Sequence, residues 1–423
     1  MKSKSKNWFK KLGPGFITGA SDDDPSGIAT YTQTGAQFGF GQLWTMVVVT
    51  PFLVAIQEMC GRIGLATGKG LSGVIRQNYS RKLLVFIVTL LVVANAVNIG
   101  ADLGAMASAM ELLVPLPFPV LIIGVTIFTL ILEVFVAYKV YVKYLKYFAL
   151  SLFAYFGVAF FIHIDWLTAL KNLVKPQIIW SRDYLFNIVA LLGTTISPYL
   201  FFWQAGEEVE ELVAEKKLAS FGKGKPKTKA LDFANMRADT IHGMVFSNLV
   251  AIFIMIAAAA TLLPQGITQI DTAAQAAAAL EPIAGKWAQV LFAIGIIGTG
   301  LLAVPVLAGS ASYAVSEAFA WKEGLYKKFS QAHGFYGVIT IATLLGLLIN
   351  FTNIPPFRML YYTAILNGTV SPILMILILR ISNNKTIMGK HVNARASNIF
   401  GVTITVAMSV ASLALVYTML VRP

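Results

Sequence analysis

Three consecutive carboxylates, Asp22, Asp23 and Asp24, interrupt an apolar stretch and are followed at once by Pro25 and Gly27. Carboxylate oxygens are hard ligands that hold cations such as Mg²⁺, Mn²⁺ or Ca²⁺, and a cluster of them repels an anionic substrate. A second interruption, Gly193-Thr-Thr-Ile-Ser-Pro-Tyr199, sets small and hydroxyl residues before Pro198 in another apolar stretch. Proline removes a backbone donor and glycine loosens what remains. Backbone carbonyls at both places therefore lose helical partners and are free to face a cation beside the Asp side chains. The chemistry these residues offer is capture and release of a cation by oxygen. No paired-His cluster, nucleophile motif or phosphate loop points to an enzyme.

The elements that must position these residues are membrane helices. Of 423 residues 57% are hydrophobic and only 13% charged, more apolar surface than one soluble core can hide. About 20 apolar residues cross a bilayer as a helix. On that measure the sequence predicts eleven spans: 14–38, 42–65, 83–113, 117–136, 140–164, 184–213, 238–263, 286–319, 335–350, 356–380 and 399–421. Strand-like alternation is absent, which argues against a β-barrel. The breaks fall in spans one and six, matching positions of two five-helix halves that run in opposite directions. Residues 1–423 are thus expected to form a single transmembrane domain. Its first inverted repeat is 14–164, its second 184–380, and 399–421 is an additional helix. Each Asp at a helix centre costs about 2.5–3.5 kcal/mol in a bilayer, so stability does not favour the first break. Paired interrupted helices are the sequence mark of a transporter's substrate site.

Charge supports the layout. Of 33 Lys and Arg residues, 27 lie on segments that share a side with the N-terminus. The positive-inside rule then places the N-terminus in the cytoplasm and the C-terminus outside a cell (inner) membrane. The net charge of +13 sits between spans, which argues against nucleic acid as a partner. Residues 1–11 read as a basic lead-in to span one. The basic loop 216–232 reads as flexible. One cysteine, Cys60, permits no intrachain disulfide.

Around these residues the chain resembles the Nramp family of divalent-metal transporters, and most closely its magnesium-transporting branch. The resemblance rests on Gly13-Pro-Gly-Phe-Ile, Asp24-Pro-Ser-Gly27, Gln57-Glu-Met-Cys-Gly-Arg-Ile-Gly-Leu-Ala-Thr-Gly68, Gly300-Leu-Leu-Ala and Leu307-Ala-Gly309. It implies an all-α LeuT-like fold of eleven or twelve helices, monomeric in the bilayer, with a divalent ion as cargo and no cofactor. It places Asp24 on the metal-binding Asp, and Ser21 and Thr194 where backbone carbonyls approach the metal. Gly27 stands where the family has Asn, Ser197 where it has Met, and Tyr199 where it has a proton-linked His. Asp22 and Asp23 are additional acids in the metal set. In span three, Ile99 or Asn98 falls near a proton-accepting Asp, with Asp102 one turn on.

These departures have a direction. Thioether sulfur favours softer metals, and Ser197 lacks it. Gly27 removes a ligand and is expected to open volume. A roomy, all-oxygen, acidic site suits Mg²⁺, which keeps several waters, with Mn²⁺ carried as well. No histidine lies in span six, and the reference pKa of a tyrosine phenol, near 10, makes Tyr199 a poor proton shuttle at neutral pH, so alternating access without proton coupling is expected. The first alternative is a proton-coupled Mn²⁺/Fe²⁺ carrier of ordinary Nramp type. The second, an amino-acid or organic-solute carrier of this fold, needs helix ends open to a carboxylate, which the three Asp residues oppose.

Other polar residues extend the reading. Glu207 and Glu208, roughly 15 Å beyond Pro198 along a helix, are expected to line an inner vestibule. Glu210 and Glu211 read as a solvated helix end pairing with Lys216 and Lys217. Asn367 in span ten either faces the same cavity or bonds a neighbouring helix. Glu317 is expected at the inner surface, and neither it nor Glu133 carries an assigned role.

Overall fold

The computed structural model describes residues 13–136, 140, 153–162, 164–352 and 354–421. Span one is two helices, α1 (Pro14–Asp22) and α2 (Pro25–Phe38). Next come α3 (Leu43–Thr67), the short α4 (Leu71–Asn78), α5 (Arg81–Glu111), α6 (Phe118–Phe135), α7 (Phe153–Phe161) and α8 (Trp166–Val174). Span six is again two helices, α9 (Arg182–Thr195) and α10 (Pro198–Ala214). The chain closes with α11 (Ala230–Thr261), α12 (Ala288–Phe319), α13 (His333–Ile349), α14 (Pro356–Asn383) and α15 (Arg395–Val421).

Both breaks have a local cause. Asp24 is the N-cap of α2, its carboxylate accepting the Gly27 N–H, and Pro25 follows at the first helical position. Ser197 and Pro198 open α10 in the same order. Cap then proline is a helix-start signal, so each apolar stretch restarts in mid-course.

Among the described residues eight segments are long and apolar enough to cross a bilayer, and His333–Ile349 is a shorter apolar helix. Expected span one is missing from that set because its two half-helices are short. The expected span 140–164 lies largely outside the described residues; of those described, Phe153–Phe161 forms a helix. The lead-in 1–11 also lies outside them.

Close backbone approach sets the packing. A Cβ on Gly15 would come 2.6 Å from the Thr240 nitrogen, and one on Gly19 would overlap the Gly243 carbonyl, so α1 lies directly on α11. In the same way Gly193 of α9 meets Ala364 and Gly368 of α14. Small residues at such crossings are how membrane helices pack without a hydrophobic drive between them.

The segments expected on one side do meet. Gly222 donates to the Gly68 carbonyl (2.9 Å), Leu325 to Glu210 (2.6 Å) and Arg62 to Asn393 (2.7 Å). At the other end Gln33 bonds Thr268 and Ile270, and Arg358 pairs with Asp271 (2.8 Å). The loop 216–232, expected to be flexible, is instead folded onto the protein. Lys217 pairs with Asp232 (2.7 Å), and Leu218 and Phe221 are buried. Two apolar residues among the lysines anchor what charge alone reads as a tether.

Candidate functional site

The two breaks face each other. Ser26 Oγ lies 3.5 Å from Thr194 Oγ1, and the Tyr31 hydroxyl lies 3.5 Å from Thr195 Oγ1. The freed carbonyls are held in place. Tyr199 donates to the Ser21 carbonyl (2.9 Å), Ser197 to the Gly193 and Thr194 carbonyls (2.8 Å each), and Ser371 of α14 to the Ile196 carbonyl. Asp24 is the centre. Its Oδ1 accepts from Ser26 Oγ and the Gly27 N–H (2.7 Å each), and its Oδ2 from Asn98 Nδ2 (3.1 Å). Asn98 Nδ2 also donates to Asp102 Oδ2 (3.1 Å), and Asn98 Oδ1 accepts from Asn367 Nδ2 (3.0 Å). Asp24, Asn98, Asp102, Thr194, Ser197, Tyr199 and Asn367 are all buried, so this is an occluded arrangement.

Four expectations are modified here. The three consecutive carboxylates do not converge. Asp22 and Asp23 turn to Ser247 of α11, whose hydroxyl lies 2.9 and 3.2 Å from them, while Asp24 turns to α5. Successive residues at a helix end point in different directions, and among the described residues no three His, Cys, Asp or Glu side chains form a metal-holding group. Gly27 does not open volume: a Cβ there would sit 3.2 Å from the Asp22 carbonyl and 3.4 Å from Thr194 Oγ1. The Ser197 hydroxyl is turned back on the end of α9, satisfying the Gly193 carbonyl and the Thr194 carbonyl, to which Pro198 has no N–H to offer. Of the two α5 positions, Asn98 reaches the site, whereas Ile99 packs in an apolar cluster.

The inner acids also sort themselves. Glu208 accepts from Gln204 (2.9 Å) and Glu207 from the Tyr313 hydroxyl (3.4 Å); both are buried. Glu210 is no solvated helix end: it is buried and accepts from Tyr313 (2.7 Å) and the Leu325 N–H. Lys217, its expected partner, is taken by Glu215 and Asp232. Glu317, expected at the surface, is buried and accepts the Gly70 and Gly73 N–H groups (2.7 and 2.9 Å) at the start of α4. Glu323, in the loop after α12, is buried too, and burial beside Glu317 pushes its carboxyl well above the usual carboxylate range. Glu133 accepts from Thr343 (3.2 Å).

Sequence reasoning misses Ser26, Ser247 and Ser371, because a lone serine gives no signal of where it points. The spacing of Asn98 and Asp102, four apart on one helix, does mark a shared polar face in an apolar span.

The Nramp family, described as natural resistance-associated macrophage protein-like, matches the chain over residues 15–418. A Yersinia enterocolitica protein named divalent metal cation transporter MntH is 24% identical over 401 residues, 92% of this chain and 90% of its own length. A Mycobacterium tuberculosis protein of the same name is 23% identical, covering 98% and 92%. The crystal structure of an Eremococcus coleocola manganese transporter superposes with a TM-score of 0.72 at 16% identity, covering 98% of this chain and 88% of that one. Mhp1, a nucleobase-cation-symport-1 family transporter in a closed conformation, gives 0.62 at 12% identity, covering 96% and 93%.

Proposed function

This chain belongs to the Nramp family, and from that premise we propose that it carries divalent metal cations across the membrane, with Mg²⁺ the favoured cargo and Mn²⁺ also accepted. The observation that carries the reading is Asp24: a buried carboxylate at a helix break, faced by a second helix break and held by hydroxyl, amide and backbone groups. The ion binds Asp24, aided by the carbonyls of Ser21 and Thr194, which Tyr199 and Ser197 orient. No side chain bonded to Asp24, and none in 193–199, offers sulfur or imidazole, which supports a hard cation over a soft one. Repeats 14–164 and 184–380 rock about this site in a monomer, with the N-terminus on the cytoplasmic side of the inner membrane. Glu207 and Glu208 lie on the inner route.

Cargo moves without an obligatory proton. A dication gains about 4.6 kcal/mol per 100 mV of membrane potential, enough to drive uptake unaided. The test is uptake into proteoliposomes with Mg²⁺, Mn²⁺ and Ca²⁺ in competition and internal pH followed by a trapped dye. Mg²⁺ and Mn²⁺ are expected to enter and compete while internal pH stays level. Acidification in step with metal entry selects the proton-coupled alternative. Uptake of amino acids in place of metal selects the organic-solute carrier.

A further inference from the structure

We propose that Asp102 is a second carboxylate ligand of the transported ion, and that the Asn98 amide is the placeholder the ion displaces. The proposal rests on the reading of Asp24 as the ion site. One Asn98 nitrogen donates to Asp24 Oδ2 and Asp102 Oδ2 at 3.1 Å each, so these oxygens are at most about 6 Å apart. A divalent ion at about 2.1 Å from each ligand spans up to about 4.2 Å between opposite oxygens, so a small inward turn of the two side chains closes on it. Asp102 Oδ1 is fully buried with no hydrogen bond within 3.5 Å, and the Ser26 N–H of the first break is the backbone group that faces this carboxyl; an unmet oxygen is a costly state for a carboxyl that exists only to brace its neighbour. Neither carboxylate has an ion-pair partner among the described residues.

Charge gives the arrangement a purpose. Once an ion is bound, two carboxylates cancel both charges of a dication, whereas a monocation leaves one negative charge in a dry site. Asn98 need not be lost to the site when displaced: its Oδ1 already accepts from Asn367, which anchors it to α14. The sequence from Asp24 through Asn98 to Asp102 thus selects by valence, where the hydroxyl and carbonyl groups of the breaks select by hardness. This role makes Asp102 a specificity determinant on α5, a helix apart from either break.

The test uses the purified full chain in detergent, with Mn²⁺ binding followed by its paramagnetic resonance signal and Mg²⁺ or Li⁺ as competitor. Li⁺ is close to Mg²⁺ in size but carries one charge. Asp102→Asn keeps the shape and removes the charge. Its Mn²⁺ Kd is expected to rise roughly 10- to 100-fold, and the advantage of Mg²⁺ over Li⁺ in competition is expected to shrink. Asp102→Glu should restore part of both. Thermal melting without ion guards against misfolding, and should be unchanged or raised in Asp102→Asn, because a buried carboxyl oxygen without a hydrogen bond is gone. If Asp102→Asn leaves Mn²⁺ affinity and the Mg²⁺ to Li⁺ ratio within twofold while Asp24→Asn abolishes binding, the second ligand is refuted and the Asp24 site stands. If neither substitution changes binding, the Asp24 site itself fails.

Discussion

Asp24→Ala is expected to reduce Mg²⁺ uptake into proteoliposomes by more than roughly 100-fold, to the level of empty vesicles. The side chain does two things at once. It caps α2 through the Gly27 N–H, and it presents the carboxylate that meets Asn98. Loss of the cap alone costs about 1 kcal/mol and would leave a folded, measurable protein. Loss of the charge removes the ligand on which the carrier reading rests. Asp24→Asn separates the two contributions, because an Asn can cap the helix without bringing a charge. Both variants should melt near the parent and fail to transport. Uptake within a factor of two of the parent in either would remove Asp24 from the ion path.

Gly193→Val is expected to abolish the folded protein itself. A Cβ at 193 would overlap the Ala364 carbonyl and the Gly368 backbone, neither of which can rotate away as a side-chain tip would. Overpacking against rigid backbone costs about 3 kcal/mol or more, and the crossing of α9 with α14 would have to widen along its length. That crossing brings Thr194 and Asn367, the residues next to the two glycines, to the site. The check is size-exclusion and thermal melting after extraction: a broad, aggregated profile with no melting transition is expected. A monodisperse Gly193→Val with the parent's melting temperature would show that the helices need not lie so close.

How much of this is legible in the chain differs by kind of residue. Long apolar runs between basic segments place α3, α5, α6, α11, α12, α14 and α15 within a few residues of their observed limits, apart from the eight-residue N-terminal extension of α11. A bilayer leaves the backbone few other choices. The two breaks are legible because Asp-Pro and Ser-Pro carry both a cap and a blocked donor. What stays hidden is direction. Nothing in Asp22-Asp23-Asp24 tells which carboxylate turns to α11 and which to α5; that is decided by Ser247 and Asn98, which approach from other helices. Glu210 and Glu317 look like surface residues because each ends an apolar run. Their burial depends on the loop carrying Leu325 and on the start of α4, both distant in sequence. Lys-rich residues 216–232 hide Leu218 and Phe221, whose burial pins the loop.

The most direct measurement locates the ion. Crystals of the full chain soaked in Mn²⁺, with diffraction collected for the metal's anomalous signal, are expected to show one dominant peak within about 2.2 Å of an Asp24 oxygen, facing residues 194–197 and Asp102. If protein that transports in vesicles shows its Mn²⁺ elsewhere in the crystal, with Asp24 still bonded only to Ser26, Gly27 and Asn98, the Asp24 site is contradicted.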